Sequence, residues 1–202
     1  MSFRLLVRVA LCAVAVLFAT PLAAQHGAGG AVASGLGPEA RQFDFLVGSW
    51  TIEARPKVGT LAAMIHGAPR PVGSWNAKRA FDGRGVEDEL RIVDASGNPV
   101  SLGRSLRIWS PGERAWLVAT LDAYRARFTQ GKAHWAGGEM QIEGSGTDSE
   151  GKPYRTRSRF SAITADGFRL TQDRSTDGET WDEAVLVIDA TRAAATPVEA
   201  AR

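Results

Sequence analysis

WNAKRAFDGRGVEDELRI, residues 75–92, reads as two strands around a tight turn. Trp75, Ala77, Arg79 and Phe81 share one face of the first segment, and Val86, Asp88, Leu90 and Ile92 share one face of the second. Period-two alternation on both sides of an Asp-Gly marks a β-hairpin. A four-residue loop over Asp82–Gly85 places Phe81 opposite Val86, Arg79 opposite Asp88, Ala77 opposite Leu90 and Trp75 opposite Ile92. The two apolar faces then coincide, which is the condition that fixes register in a half-buried sheet. The same register predicts an ion pair between Arg79 and Asp88 on the inner face, since direct cross-strand neighbours have Cβ atoms ~5 Å apart.

The pattern repeats along the chain. Turn signals recur at Ser96-Gly97-Asn98, Pro111-Gly112, Gln130-Gly131, Glu150-Gly151, Asp166-Gly167 and Asp177-Gly178. Between them run alternating segments such as Trp50-Ile52-Ala54, Met140-Ile142 and Phe168-Leu170. Strands are predicted near 49–56, 72–81, 86–94, 101–109, 115–122, 124–129, 132–137, 139–147, 153–163 and 167–189, the last folded at Asp177-Gly178 and open to being read as two. Helical character is confined to Pro38–Leu46. Many short strands joined by tight turns predict an all-β domain, an antiparallel up-and-down meander barrel of about ten strands. It spans residues 41–192, between a Gly/Ala-rich linker at 25–40 and a tail at 193–202.

Residues 1–24 read as a leader. Arg4 and Arg8 precede an uncharged apolar run from Val9 to Ala19, and Pro21-Leu22-Ala23-Ala24 offers a small-residue cleavage site. The run is shorter than the roughly 20 residues that a membrane-spanning helix needs. The expected protein is therefore exported, to the periplasm or the medium, with no stable membrane insertion after cleavage. Cys12, the single cysteine, lies within the leader, so the domain must be stabilised by its core rather than by disulfides. Two of the 24 Lys and Arg lie in the leader, which leaves the remainder balanced against the 22 Asp and Glu. That balance excludes bulk electrostatic binding of nucleic acid.

Phe43-Asp44-Phe45-Leu46-Val47-Gly48-Ser49-Trp50, followed by Phe81-Asp82-Gly83 with Glu87-Asp88-Glu89 and by Ser175–Trp181, resembles the bacterial lipocalin-like family known as domain of unknown function 1579. The likeness covers nearly all of residues 41–192. It implies a calycin-type, lipocalin-like barrel enclosing a small apolar molecule, with Trp50 plugging the base and Arg192 covering that ring by a cation–π contact. It implies no particular activity. The Thr-Asp-aromatic turn of true lipocalins is missing, and the surroundings of His66 and His134 do not match the histidine of haem-binding barrels.

Lumen candidates are Trp50, Trp75, Arg79, Asp88, Tyr154 and Gln172. Arg79 and Asp88 form either a clamp for a ligand head group or a structural pair at the mouth. Leu61, Met64 and Ile65, in the long segment between Pro56 and Pro71, form either a lid or a loop packed on the wall. Arg155, Arg157 and Arg159 make a stripe expected to face outward, since Arg is seldom buried without partners. Hydrolase and metalloprotease motifs are absent, so no catalytic residue, metal or cofactor is assigned. The expected function is binding of a small apolar or amphipathic molecule in the lumen. An enzyme with an unrecognised lumenal site, or a non-catalytic structural or envelope-interaction domain, is the alternative.

Overall fold

The computed structural model describes residues 37–194. The expected leader, most of the linker and the tail from residue 195 lie outside the described residues. Ten strands form a closed antiparallel barrel in which each is bonded to its neighbours in sequence, and β1 (Gly48–Pro56) closes against β10 (Asp182–Arg192). Between them run β2 (Val72–Ala80), β3 (Gly85–Val93), β4 (Pro99–Ser110), β5 (Ala115–Asp122), β6 (Arg127–Ala136), β7 (Glu139–Thr147), β8 (Pro153–Ser161) and β9 (Gly167–Ser175). The fold is the expected up-and-down meander. Closure removes every free sheet edge, which is how an all-β chain avoids edge-to-edge pairing.

Three local readings are corrected. Gln130-Gly131 is not a turn but lies within β6. A Cβ at Gly131 would stand 2.4 Å from the carbonyl oxygen of Glu143, so glycine is there to let β7 approach. The β6–β7 turn is instead Gly137-Gly138, with φ of 61° and 84°; two positive φ angles define the tight hairpin whose twist matches the strands. Helical character is not confined to Pro38–Leu46, since Thr60–His66 forms a short α-helix, whereas 167–189 folds into β9 and β10 about Asp177-Gly178, one of the two readings left open.

The third correction concerns the 75–92 hairpin, whose register is displaced by two residues. Asp88 pairs with Ala77, Val86 with Arg79 and Leu90 with Trp75. The loop is Phe81–Arg84, with Phe81 and Asp82 at φ 56° and 54°, and Gly85 already belongs to β3. A Cβ on Gly85 would approach the Arg107 carbonyl oxygen to 2.2 Å, so this glycine serves the close approach of β4 rather than the turn. A two-residue displacement keeps the faces but changes every partner.

One end of the barrel is plugged. Pro38–Arg41 and Asp44–Leu46 are single 3₁₀ turns, the second carrying Leu46 into the core beside Phe43. Phe43 meets Trp116 edge-to-face at 5.0 Å, and Phe45 meets Phe160 at 5.4 Å. Edge-to-face contacts of this kind add about 0.5–1.5 kcal/mol each to area burial. Trp50 is fully buried, donates to the Leu46 carbonyl at 2.7 Å, and lies under the Arg192 guanidinium at 4.1 Å. Ala40 is already buried, so the domain's packing begins ahead of Arg41.

Candidate functional site

The topology places the other end of the lumen beneath α1 (Thr60–His66), which joins β1 to β2. Between that end and the aromatic plug the lumen holds a cavity of about 170 Å³. One side of its wall is apolar, with Trp75, Leu90, Leu186 and Ile188. The other side carries hydroxyls and amides in two groups. Ser105 and Thr120, on β4 and β5, share a hydrogen bond of 3.0 Å, and Gln172 on β9 donates to Ser158 on β8 at 3.1 Å. Between the groups β7 offers Gly144, where a Cβ would meet the Thr156 hydroxyl at 2.9 Å. The arrangement is an apolar wall facing an adaptable polar one, the mixed lining that orients small ligands.

The cavity floor carries charge. Arg107, on β4, is almost wholly buried and ion-pairs with Asp88 of β3, whose carboxylate also accepts the Trp75 indole N–H at 2.7 Å. Burial pushes the Arg107 guanidinium down to about 9, which leaves it cationic at neutral pH. Its Nε is buried and without a partner. Arg107 is the one charged residue lining the cavity among the described residues.

The predicted Arg79–Asp88 contact is not made. Arg79 sits at the plugged end, half-buried, paired with Asp44 and donating to the Ala40 carbonyl at 3.1 Å. Burial lowers its pKa, with Arg41 adding repulsion. It fastens the plug to the wall and does not line the lumenal cavity. Trp50 is likewise part of the plug rather than a lumen contact. Trp75 and Gln172 do line the cavity. Tyr154 lies beyond it toward the open end, half-buried, with the Arg174 guanidinium stacked on its ring at 4.1 Å. Leu61, Met64 and Ile65 project from α1, at 71%, 79% and 65% exposure, so they neither pack on the wall nor close the mouth in this conformation. The Arg stripe of β8 faces outward; Arg157 stacks on Trp181 at 3.8 Å and Arg159 reaches Asp173 at 3.8 Å.

Arg107 was not singled out from the sequence, for a physical reason. In β4 the apolar residues Leu106 and Ile108 alternate with Ser105, Arg107 and Trp109, and hydropathy alone turns Leu106 and Ile108 inward. The structure turns them out, at 47% and 38% exposure, beside Phe81 and Leu117 on the outer wall. The available signal was Trp109, which shares parity with Arg107 and packs on Trp116 at 6.1 Å.

The class these features define is a closed meander β-barrel with a plugged base and a small lumenal cavity. Among solved structures it is similar to a redesigned β-barrel (9% identity, 76% of this chain, 96% of that one, TM-score 0.38). It is also similar to a protein bound to DFHBI (11% identity, 77% and 99%, TM-score 0.38) and to a de novo designed fluorescence-activating barrel (12% identity, 74% and 95%, TM-score 0.34). None of these likenesses bears on function. No protein-family model and no curated protein matches the chain. Among the described residues no group of three or more His, Cys, Asp or Glu is placed to hold a metal, and no helix is long and apolar enough to cross a membrane.

Proposed function

We propose that this chain is an exported binding barrel of the lipocalin-like kind, holding one small amphipathic molecule in its lumen. The observation that carries the reading is the 170 Å³ cavity itself, with an apolar wall facing Ser105, Thr120, Ser158 and Gln172. An apolar cavity of about 150 Å³ is enough for benzene, so the enclosed space suits roughly six to nine non-hydrogen atoms. A structural barrel would fill that volume with side chains. An enzyme would bring a second titratable group to the same space, whereas Arg107 stands there with its charge already balanced by Asp88. In this reading α1 is the lid, and Leu61, Met64 and Ile65 give it an apolar face to close over an occupied mouth.

The test combines two measurements. Mass spectrometry of small molecules released when the exported protein is denatured should find a compound of this size. A Ser158→Leu variant, which fills the cavity with apolar atoms, should fold and carry none. A wild-type barrel that is empty on purification and indifferent to a library of molecules of six to nine non-hydrogen atoms would overturn the proposal.

A further inference from the structure

We infer that the lumenal ligand is electrically neutral and carries a carbonyl-type oxygen, which accepts a hydrogen bond from the Nε–H of Arg107. The inference rests on the lumen being a binding site and names what it binds. Two observations on the cavity floor lead to it.

The first is an unmet donor. Arg107 is 3% exposed, its guanidinium pairs with Asp88 and reaches over the Phe43 ring at 5.2 Å, and its Nε has no partner. A buried donor left unsatisfied is unfavourable, and native structures leave few such groups. None of the polar groups lining the cavity meets it in this structure. Ser105 bonds Thr120, and Ser158 bonds Gln172. An oxygen supplied from within the cavity satisfies it.

The second observation is charge. Asp88 already neutralises Arg107, and no other charged residue lines the cavity among the described residues. A carboxylate placed there would leave one uncompensated negative charge against an apolar wall, which is strongly disfavoured. Arg174, two residues beyond Gln172 on β9, stands outside the cavity lining with its guanidinium stacked on Tyr154. A pure hydrocarbon would leave the Nε–H unmet. A small ketone, ester, lactone or amide with an apolar body meets both conditions.

The experiment uses three probes of matched size on the full domain: cyclohexanone, its isostere methylenecyclohexane, and cyclopentanecarboxylate at neutral pH. Affinities are read by titration calorimetry and the Arg107 Nε–H by ¹H–¹⁵N correlation spectroscopy. Cyclohexanone should bind at least tenfold more tightly than methylenecyclohexane, the ratio expected of one hydrogen bond from a charged donor. Only cyclohexanone should move the Arg107 Nε–H resonance. In Arg107→Lys, which keeps a cation for Asp88 but lacks that N–H, the ratio should collapse toward one. Equal binding of ketone and alkene would overturn the acceptor assignment and leave the lumenal site standing. Tighter binding of the carboxylate would overturn neutrality and direct attention to Arg174. No binding of any probe to the folded wild type would overturn both readings.

Discussion

Asp88→Ala should be among the most destabilising single substitutions in this barrel, and Arg79→Ala one of the milder charge removals. The two residues share the inner face of one hairpin but differ in what they leave behind. Asp88 is buried and is the partner of both the Arg107 guanidinium and the Trp75 indole N–H. Removing its carboxylate strands a buried cation, a loss of about 3–5 kcal/mol, and frees a buried indole donor, about 1–3 kcal/mol more if no water enters. Arg79 is 30% exposed and pairs with an Asp44 that is 39% exposed. Screened pairs of that kind contribute about 0–1 kcal/mol. The assay is urea unfolding followed by tryptophan fluorescence, with the slope checked so that midpoint shifts report stability alone. At roughly 2–4 °C per kcal/mol for a chain of this length, the midpoint of thermal unfolding should fall by at least about 6 °C for Asp88→Ala and by no more than about 4 °C for Arg79→Ala. The double variant Asp88→Leu/Arg107→Met should regain much of the loss, because a buried ion pair is often replaceable by apolar groups of similar volume. Asp88→Ala within about 1 kcal/mol of Arg79→Ala would refute the reasoning, since the guanidinium would then be finding water in the lumen.

At the plugged end, Arg192→Ala should lower stability by about 1–2 kcal/mol in urea unfolding, because it removes both the contact over Trp50 and the bond from Arg192 Nε to the Ala165 carbonyl. Gly48→Ala should be worse than an ordinary strand substitution, by about 1–3 kcal/mol in the same assay, since Gly48 has φ 132° and its Cβ would stand 2.5 Å from an Arg192 nitrogen. Gly137→Asn should raise stability in urea unfolding by about 0.4–1 kcal/mol, because φ of 61° suits asparagine and nothing lies within 4 Å of the new Cβ. Asp177, which accepts from the amides of Glu179 and Thr180 and from the Ser175 hydroxyl, has its carboxyl lowered to about 2. Because the folded value lies below the unfolded one, its contribution is complete above pH ~4 and is lost as the pH falls toward 2. Carbon-detected NMR should show its carboxyl titrating well below the ordinary aspartate value, and Asp177→Asn should flatten this part of the acid-stability profile.

What the sequence showed and what it hid follow from one difference. Alternation reports which face a residue occupies: Trp75, Val86 and Phe168 are buried in β2, β3 and β9, and the Arg155–Arg159 stripe of β8 faces outward, as read. Alternation does not report partners. Arg79 and Asp88 were placed on the correct face and paired wrongly, because Gly85 was read as a turn residue when it answers to β4, the next strand in the meander. No face was read for β4, where hydropathy misleads, since its apolar residues Leu106 and Ile108 face outward and Arg107 inward. There the decisive term is the carboxylate of Asp88, which lies in another strand. Glycines serving close approach between strands, at Gly85 and Gly131, look identical in sequence to glycines serving turns, at Gly137 and Gly138.

The meander also fixes where the ends of the domain emerge. Ala193 donates its amide to the Ser49 carbonyl at 2.9 Å, and the chain enters through the 3₁₀ turns that fill the base. Entry and exit therefore share the plugged end, and α1 stands at the far one. A tether attached at either terminus, whether a fusion partner or a surface linkage, holds the barrel like a cup by its foot and leaves the rim free. Immobilised through its termini, the domain keeps its open end turned toward solution. An attachment at Leu61 or Met64 would instead bury that end against the support.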